Sequence, residues 1–420
     1  MAKKLYIILF MAFLGTMDAI SQNIGKDSLE TKEYSFLLMD SPAKLFTMRQ
    51  SDENSLNLYR LGIRELNKIV IFKNKPLYLS NLLLQSAVSL LFIPLTHEEG
   101  HRSILTYKGI GSISQPFFNK DGAAYVVGVK DTELEMLRDT DFPTYIRMHT
   151  AGLESDYAML LREASLMNWE QESRNILWTE YFLRKLSLVT YYSMGLLKMD
   201  IGIEEENNEL KRDIVGHDIY GAIRHLYRPD MEFKRYTDYG DLTGEEKKFL
   251  KRVGWRSFLN LVDPLIVGKA GFKLNSKYRG NFSLGYGMAP FGDYIDEHFW
   301  LSGKSVNAHF YLRQYENKST WFPAFGTDLH GICVTKDLSV DAALHGWLQP
   351  KALSFRSKSG KLGAAFDLTS KYRFFSRING KGIKGLSLNL ALIVKTEGFL
   401  LEEVNMERRV GLRLGTSIWL

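Results

Sequence analysis

Leu386-Ser387-Leu388-Asn389-Leu390-Ala391-Leu392-Ile393-Val394 decides the fold of the C-terminal half. Leu386, Leu388, Leu390, Leu392 and Val394 fall on one side of a period-two pattern, and Ser387, Asn389 and Ala391 on the other. Side chains of a strand point alternately to its two faces, so the pattern predicts a strand with one apolar face. Neighbouring stretches repeat it. Val306, Ala308, Phe310 and Leu312 alternate with Asn307, His309, Tyr311 and Arg313, and Leu338, Val340, Ala342 and Leu344 with Ser339, Asp341, Ala343 and His345. Phe282, Leu284, Tyr286 and Met288 begin the series, and Leu412, Leu414, Thr416, Ile418 and Leu420 end it.

From residue 255 to the C-terminus the pattern implies roughly eight to ten strands of about nine to thirteen residues, separated by polar or Gly-rich turns such as Asn379-Gly380-Lys381-Gly382. One face is apolar, and the other carries Gly, Ser, Asn, Asp, Arg and His. This half resembles a bacterial outer-membrane β-barrel, in which the apolar face meets lipid and the polar face lines the lumen. The terminal Trp419-Leu420 only approximates the aromatic end common in such barrels. A soluble β-sandwich, whose inner face also alternates, is the competing reading.

The first half reads differently. Lys3 and Lys4, the apolar run Leu5–Gly15 and the small residues Ala19 and Ser21 predict an export signal cleaved before Gln22. A polar stretch to about Glu53 is expected to be loosely ordered at first. Mostly helical patterns follow to about Val253. Leu77–Leu95 reads as a buried core helix, with a transmembrane helix as the weaker reading because Ser80, Asn81, Gln85, Ser86 and Ser89 would need partners in lipid. Ile104–Val129 suggests a hairpin, and Thr144–Met167, Gln171–Met199 and Ile214–Tyr227 suggest helices. Thr243 and Glu246 predict a capping box opening another. The expected organisation is a signal at 1–21, a mainly helical unit at 22–254 and an antiparallel barrel at 255–420, an α+β multidomain chain.

Chemistry concentrates at His97-Glu98-Glu99-Gly100-His101. On a helix, His97 and His101 lie one turn apart on one face and can reach one metal ion. Glu98 is turned about 100° away, toward a metal-activated water for which it would be the general base. Gly100 permits close approach of another element. Pro94 would start or kink this helix, and Arg102 must face away or hold a carboxylate. A third ligand is needed. The positions where metzincins carry a Gly and then a third His hold Ile104 and Tyr107, which excludes that group. Glu154, after the small residues Ala151 and Gly152, is the candidate, with Asp156 and His149 as fallback ligands. Asp156 could otherwise orient a ligand imidazole.

The HExGH form followed by a later helical Glu resembles the gluzincin metallopeptidases over about residues 75–170. That resemblance implies Zn2+ held by His97, His101 and Glu154, with Glu98 catalytic, on a zincin-like helical fold. His217 and His225 are candidate oxyanion donors, though a structural role suits them better. Tyr236-Thr237-Asp238-Tyr239-Gly240 departs in spacing from the Asp motif of another zincin group.

The remaining composition bounds the function. The chain has 420 residues, 45% of them hydrophobic, and a formal charge of +6. That charge is too mild, and no basic run is interleaved with aromatics in a way that would make a nucleic-acid partner. Cys333 is the single cysteine, so neither an internal disulfide nor a thiolate metal site is available. The expectation is a zinc endopeptidase of envelope or exported proteins, anchored in outer-membrane lipid. The alternative is a non-catalytic zinc-site accessory subunit working with other outer-membrane proteins; a periplasmic location is the alternative to the membrane.

Overall fold

The computed structural model describes residues 31–42, 46–69, 75–115, 124–200, 205–269, 271–303, 306–377 and 382–420. The expected export signal and most of the Asn379–Gly382 turn lie outside them. Seven α-helices and two antiparallel sheets make up the described chain. The helices are α1 (Met48–Ile69), α2 (Lys75–Tyr107), α3 (Asp131–Thr140), α4 (Phe142–Asn168), α5 (Arg174–Leu197), α6 (Asp218–Tyr227) and α7 (Gly244–Ser257). A small sheet pairs β2 (Ile113–Gln115) with β3 (Tyr125–Val127).

The large sheet has ten strands: β1 (Glu33–Ser41), β4 (Phe272–Lys273), β5 (Tyr278–Ala289), β6 (Gly292–Gly303), β7 (Asn307–Glu316), β8 (Trp321–Cys333), β9 (Leu338–Pro350), β10 (Gly360–Ser376), β11 (Gly385–Lys395) and β12 (Arg409–Trp419). From β4 to β12 each strand pairs with its sequence neighbour, as successive hairpins dictate. The register is fixed by period two: Leu388 faces Thr416 and Leu390 faces Leu414 across β11 and β12.

Two expectations are corrected here. The sheet is open: its order runs from β1 through β12 to β4, and β1 does not pair with β4 or β5. A barrel closed by strands alone is therefore not formed. The boundary at residue 255 is also crossed, because β1, from the stretch expected to be loose, pairs antiparallel with the last strand. A bulge between Leu37 and Met39 breaks the alternation of β1 and hides it from pattern reading.

Helices seal the open edges. Gln50, Asn54 and Asn57 recur at i, i+4 and i+7, so they share one face of α1. Asn54 accepts from the Leu37 N–H at 2.8 Å and donates to the Leu37 carbonyl at 3.0 Å. Asn57 donates to the Ser35 carbonyl at 2.6 Å and Gln50 to that of Leu38 at 3.2 Å. At the other end, Asn260 exchanges both bonds with the Tyr286 backbone at 3.0 and 3.1 Å, and the Leu284 N–H donates to the Val262 carbonyl. Side chains thus replace the missing strand partners, as an edge away from water requires.

The two faces of the sheet have opposite character. Ser387, Asn389, Arg409, Arg413, Ser417, Asp296, His298, His309 and Arg313 are buried. Leu388, Leu390, Leu392, Val394, Val410, Leu412, Phe310, Leu312 and Phe325 are exposed. Against the concave polar face pack α1 and α4. Tyr157 of α4 donates to Asp296 at 2.7 Å and Trp300 of β6 donates to Ser165 of α4 at 3.0 Å. No helix among the described residues is long and apolar enough to cross a membrane. Helix α2 also departs from the expected core helix. It runs unbroken through Pro94 and leaves Leu83, Leu90 and Leu91 exposed.

Candidate metal centre

Helices α2 and α4 cross closely at two glycines. A Cβ on Gly100 would lie 2.5 Å from the Ala151 carbonyl oxygen. A Cβ on Gly152 would lie 2.4 Å from His97 Nε2 and 2.5 Å from His101 Nε2. Any larger residue at 152 would push both imidazoles aside. The small residues at 100, 151 and 152 therefore set the site, as their position in the sequence suggested.

His97 and His101 present Nε2 to one point. Asp218, the first residue of α6, places Oδ2 3.3 Å from each. These three side chains are the one group among the described residues placed to hold a metal ion. Asp218 Oδ2 is buried and has no hydrogen-bond partner there. The far nitrogens are fixed: His97 Nδ1 meets Asp156 Oδ2 at 2.8 Å, and His101 Nδ1 the Met148 carbonyl at 2.6 Å. Asp156 thus takes the orienting role open to it in the sequence. Arg184, wholly buried, holds Asp156 Oδ1 at 2.6 Å and Thr96 Oγ1 at 2.8 Å.

Electrostatics suit the ligand set. Burial opposes ionisation of Asp218, yet His101 and His97 hold its carboxyl far below the usual range. Burial pushes Glu98 up to about 8 against the opposing pull of His97 and His101. Arg102 holds Glu99 at 2.7 Å, and Ser114 of β2 donates to the other Glu99 oxygen at 2.6 Å. Glu99 is thereby kept for structure, and Glu98 is left as the acid of the motif beside the ligand set.

Asp218, and not Glu154, lies beside the two histidines, and helix phase is the reason. Residues 152, 155 and 156 of α4 share the face turned to α2. Glu154 lies two residues from Gly152, roughly 200° around the helix. It points instead at Arg147, which donates to both its oxygens at 2.9 and 2.6 Å. The Glu402 N–H donates to it at 2.8 Å, and Arg147 also binds the carbonyls of Glu403 and Val404. Glu154 is an internal clamp on the 400–404 loop.

His149 is also outside the ligand group. It packs against Gly221 and stands 5.6 Å from the His225 ring. Burial pulls His149 down to about 3, so it is a neutral imidazole. His225 bonds Tyr145 at 3.0 Å, on that same side. Burial holds His217 down to about 4; its ring stacks on Tyr220 and lies 5.2 Å from Tyr191. Tyr191, whose ring centre is 6.0 Å from that of His97, takes a 3.4 Å bond from the Asp218 N–H.

The approach to Asp218 is built by a turn. Asp213 accepts from the N–H of Gly216 at 3.0 Å and of Val126 at 3.3 Å. Gly216 has φ +66, where a side chain is disfavoured, and a Cβ there would strike Tyr236 at 2.8 Å. That turn delivers His217 and Asp218 to the start of α6. In sequence an acid in the first helical turn reads as a complement to the helix dipole, which masked Asp218.

Comparison with protein family models, curated proteins and solved structures finds no match for this chain.

Proposed function

We propose that this chain is a zinc-dependent endopeptidase of the cell envelope, held in an outer membrane by the apolar outer face of its sheet. The convergence of His97 Nε2, His101 Nε2 and Asp218 Oδ2 carries the reading. A tetrahedral zinc ion with bonds of about 2.0–2.1 Å separates its ligand atoms by roughly 3.3–3.4 Å. The observed separations of 3.3 Å from Asp218 Oδ2 to each imidazole fit that ion. Two imidazoles, which ligate in their neutral form, and one carboxylate are a donor set that suits zinc. Bound there, zinc would supply a Lewis acid and an acidified water.

The chain's own residues supply the rest. His97, His101 and Asp218 would hold the ion, and Asp156 and Arg184 keep His97 in register. Glu98, next to His97 and buried, would take the proton from the attacking water and pass it to the leaving amine. Tyr191, beside His97 and Asp218, is placed to donate toward developing negative charge on the substrate carbonyl. The gluzincin likeness is kept for the motif and altered in the third ligand, Asp218 instead of Glu154. Three protein ligands leave a fourth position, whereas structural zinc sites are closed by four. This favours the enzyme over a non-catalytic accessory subunit.

The membrane location rests on the inverted sheet. Strands β5–β12 are 10–17 residues long, enough for the about 9–11 that a tilted strand needs to cross a bilayer. Their exposed side chains include Phe310, Leu312, Phe325, Leu388, Leu390, Leu392 and Leu412, while Asp296, His309, Arg313, Asn389 and Arg413 are buried alongside aromatics such as Tyr286, Tyr294 and Trp300. Envelope or exported proteins are the substrates this location offers.

Glu98→Gln tests the catalytic assignment. With zinc loaded, the variant is expected to retain one ion per chain while peptide cleavage falls about 10²–10⁴-fold. Unchanged cleavage would remove Glu98 from the mechanism.

A further inference from the structure

Helix α2 changes surroundings at the motif. Its outward face carries Leu83, Ala87, Leu90 and Leu91, all exposed. Three turns beyond Leu91 and in line with it stands Arg102, which pairs with Glu99. From Leu91 to His97 the helix rises about 9 Å. If the exposed leucines face lipid, the change from apolar to charged marks the membrane–water boundary, and the boundary falls at His97-Glu98.

Two further residues mark the same level. Phe46 is 62% exposed, and Arg102 both donates to its carbonyl at 3.2 Å and stands 5.7 Å from its ring centre. Ile113 of β2 is 61% exposed, and its neighbour Ser114 is bonded to Glu99. An aromatic and a branched aliphatic side chain are thus exposed close to the Glu99–Arg102 pair. Exposed apolar groups beside an arginine suit the headgroup layer, where an apolar body and a charged tip are both satisfied.

The cavity beside the sheet lies on the other side of α4 from the metal ligands. A cavity of about 730 Å³ lies between the helices and the polar face of the sheet, lined by Arg49, Arg162, His309, Tyr311, Asp328 and Lys371 among others. It meets α4 on the side of Ala158, Leu161 and Arg162, whereas the metal ligands lie against Gly152 and Asp156. Helix α4 stands between the two.

We infer that the site works at the membrane surface, on the juxtamembrane segment of a lipid-anchored or membrane-inserted protein. This rests on the peptidase reading above and deepens it by naming the substrate class. Phe46 and Ile113 sit in the headgroup layer, and a substrate chain reaches Glu98 as it leaves the bilayer.

Two measurements on the full-length protein in phosphatidylethanolamine/phosphatidylglycerol vesicles test the inference. The first is cleavage of fluorogenic peptides carrying a diacyl anchor, with the scissile stretch about 5, 10 or 40 residues from it. The two shorter spacers are expected to be cleaved at least about 10-fold faster than the longest or than the same peptide without an anchor. The second is independent of cleavage: a bimane on Ile113→Cys, in a Cys333→Ser background, should be quenched by brominated lipid. Absence of quenching overturns the headgroup placement. Equal cleavage of anchored and free peptides overturns the substrate class alone. Failure to cleave any member of the set, with zinc bound, overturns the peptidase reading and the substrate class with it.

Discussion

The helical unit and the sheet obey opposite rules of burial. In α4, α5 and α6 the apolar side chains go inward: Ile146, Met148, Leu153, Leu177, Leu188, Ile219 and Ile223 are buried. In β11 and β12 the apolar side chains go outward, and serine, asparagine, lysine and arginine go in. Water as the only solvent explains the first pattern and penalises the second, because a broad exposed apolar face is costly. The inward charges of the sheet are tolerated because they are paired. Arg313 holds both oxygens of Asp296 at 2.7 Å, and Arg409 and Arg413 both engage Asp40 and Glu403. On the proposed membrane placement the two regions meet two solvents, and the candidate metal site lies on the helix that borders both.

The contrast can be broken on either side. The largest stability effect is expected in the buried clamp of the helical unit. Glu154→Ala leaves the Arg147 guanidinium without its carboxylate and should cost about 3–5 kcal/mol in denaturant unfolding. Zinc stoichiometry should be unchanged at temperatures where the variant is folded, because Glu154 is turned away from the ligands.

On the sheet, Leu390→Arg places a charge on the outward face at the middle of β11. If that face meets lipid, folding into vesicles should be weakened by about 2–4 kcal/mol. On a water-exposed face the same change would cost less than about 0.5 kcal/mol, and that result would remove the membrane from the account. A smaller effect is expected where helix and sheet join. Asn54→Ala strips both edge bonds from Leu37 and should cost about 1–3 kcal/mol, with faster amide exchange confined to β1.

Local periodicity explains what was legible. Ser387, Asn389 and their outward leucines announce both the strand and its two-sided character, because period two is read from adjacent residues. His97, Glu98 and His101 were legible for the same reason, since a helix brings i and i+4 together. The Thr243–Glu246 capping box was readable too, and the structure has it: Thr243 accepts from the Glu246 N–H, and Glu246 from that of Thr243. The open sheet was not, because alternation gives strands and says nothing about whether the first meets the last. Nor was β1, whose bulge breaks the period. Asp218 was hidden by distance: it reaches the histidines through the Asp213–Gly216 turn and the placement of α6, which are tertiary facts. Glu154 lies apart from the histidines for a local reason. Gly152 already defined the face of α4 that meets the motif, and helix phase alone puts Asp156 on that face and Glu154 off it.

The central claim is that His97, His101 and Asp218 form one zinc site. Its most direct measurement is metal content and affinity of the purified protein with Asp218→Ala set against Glu154→Ala. The account expects one zinc per chain in the wild type and in Glu154→Ala, and loss of tight binding in Asp218→Ala. Retention of zinc by Asp218→Ala together with its loss from Glu154→Ala would contradict it and return the third ligand to Glu154.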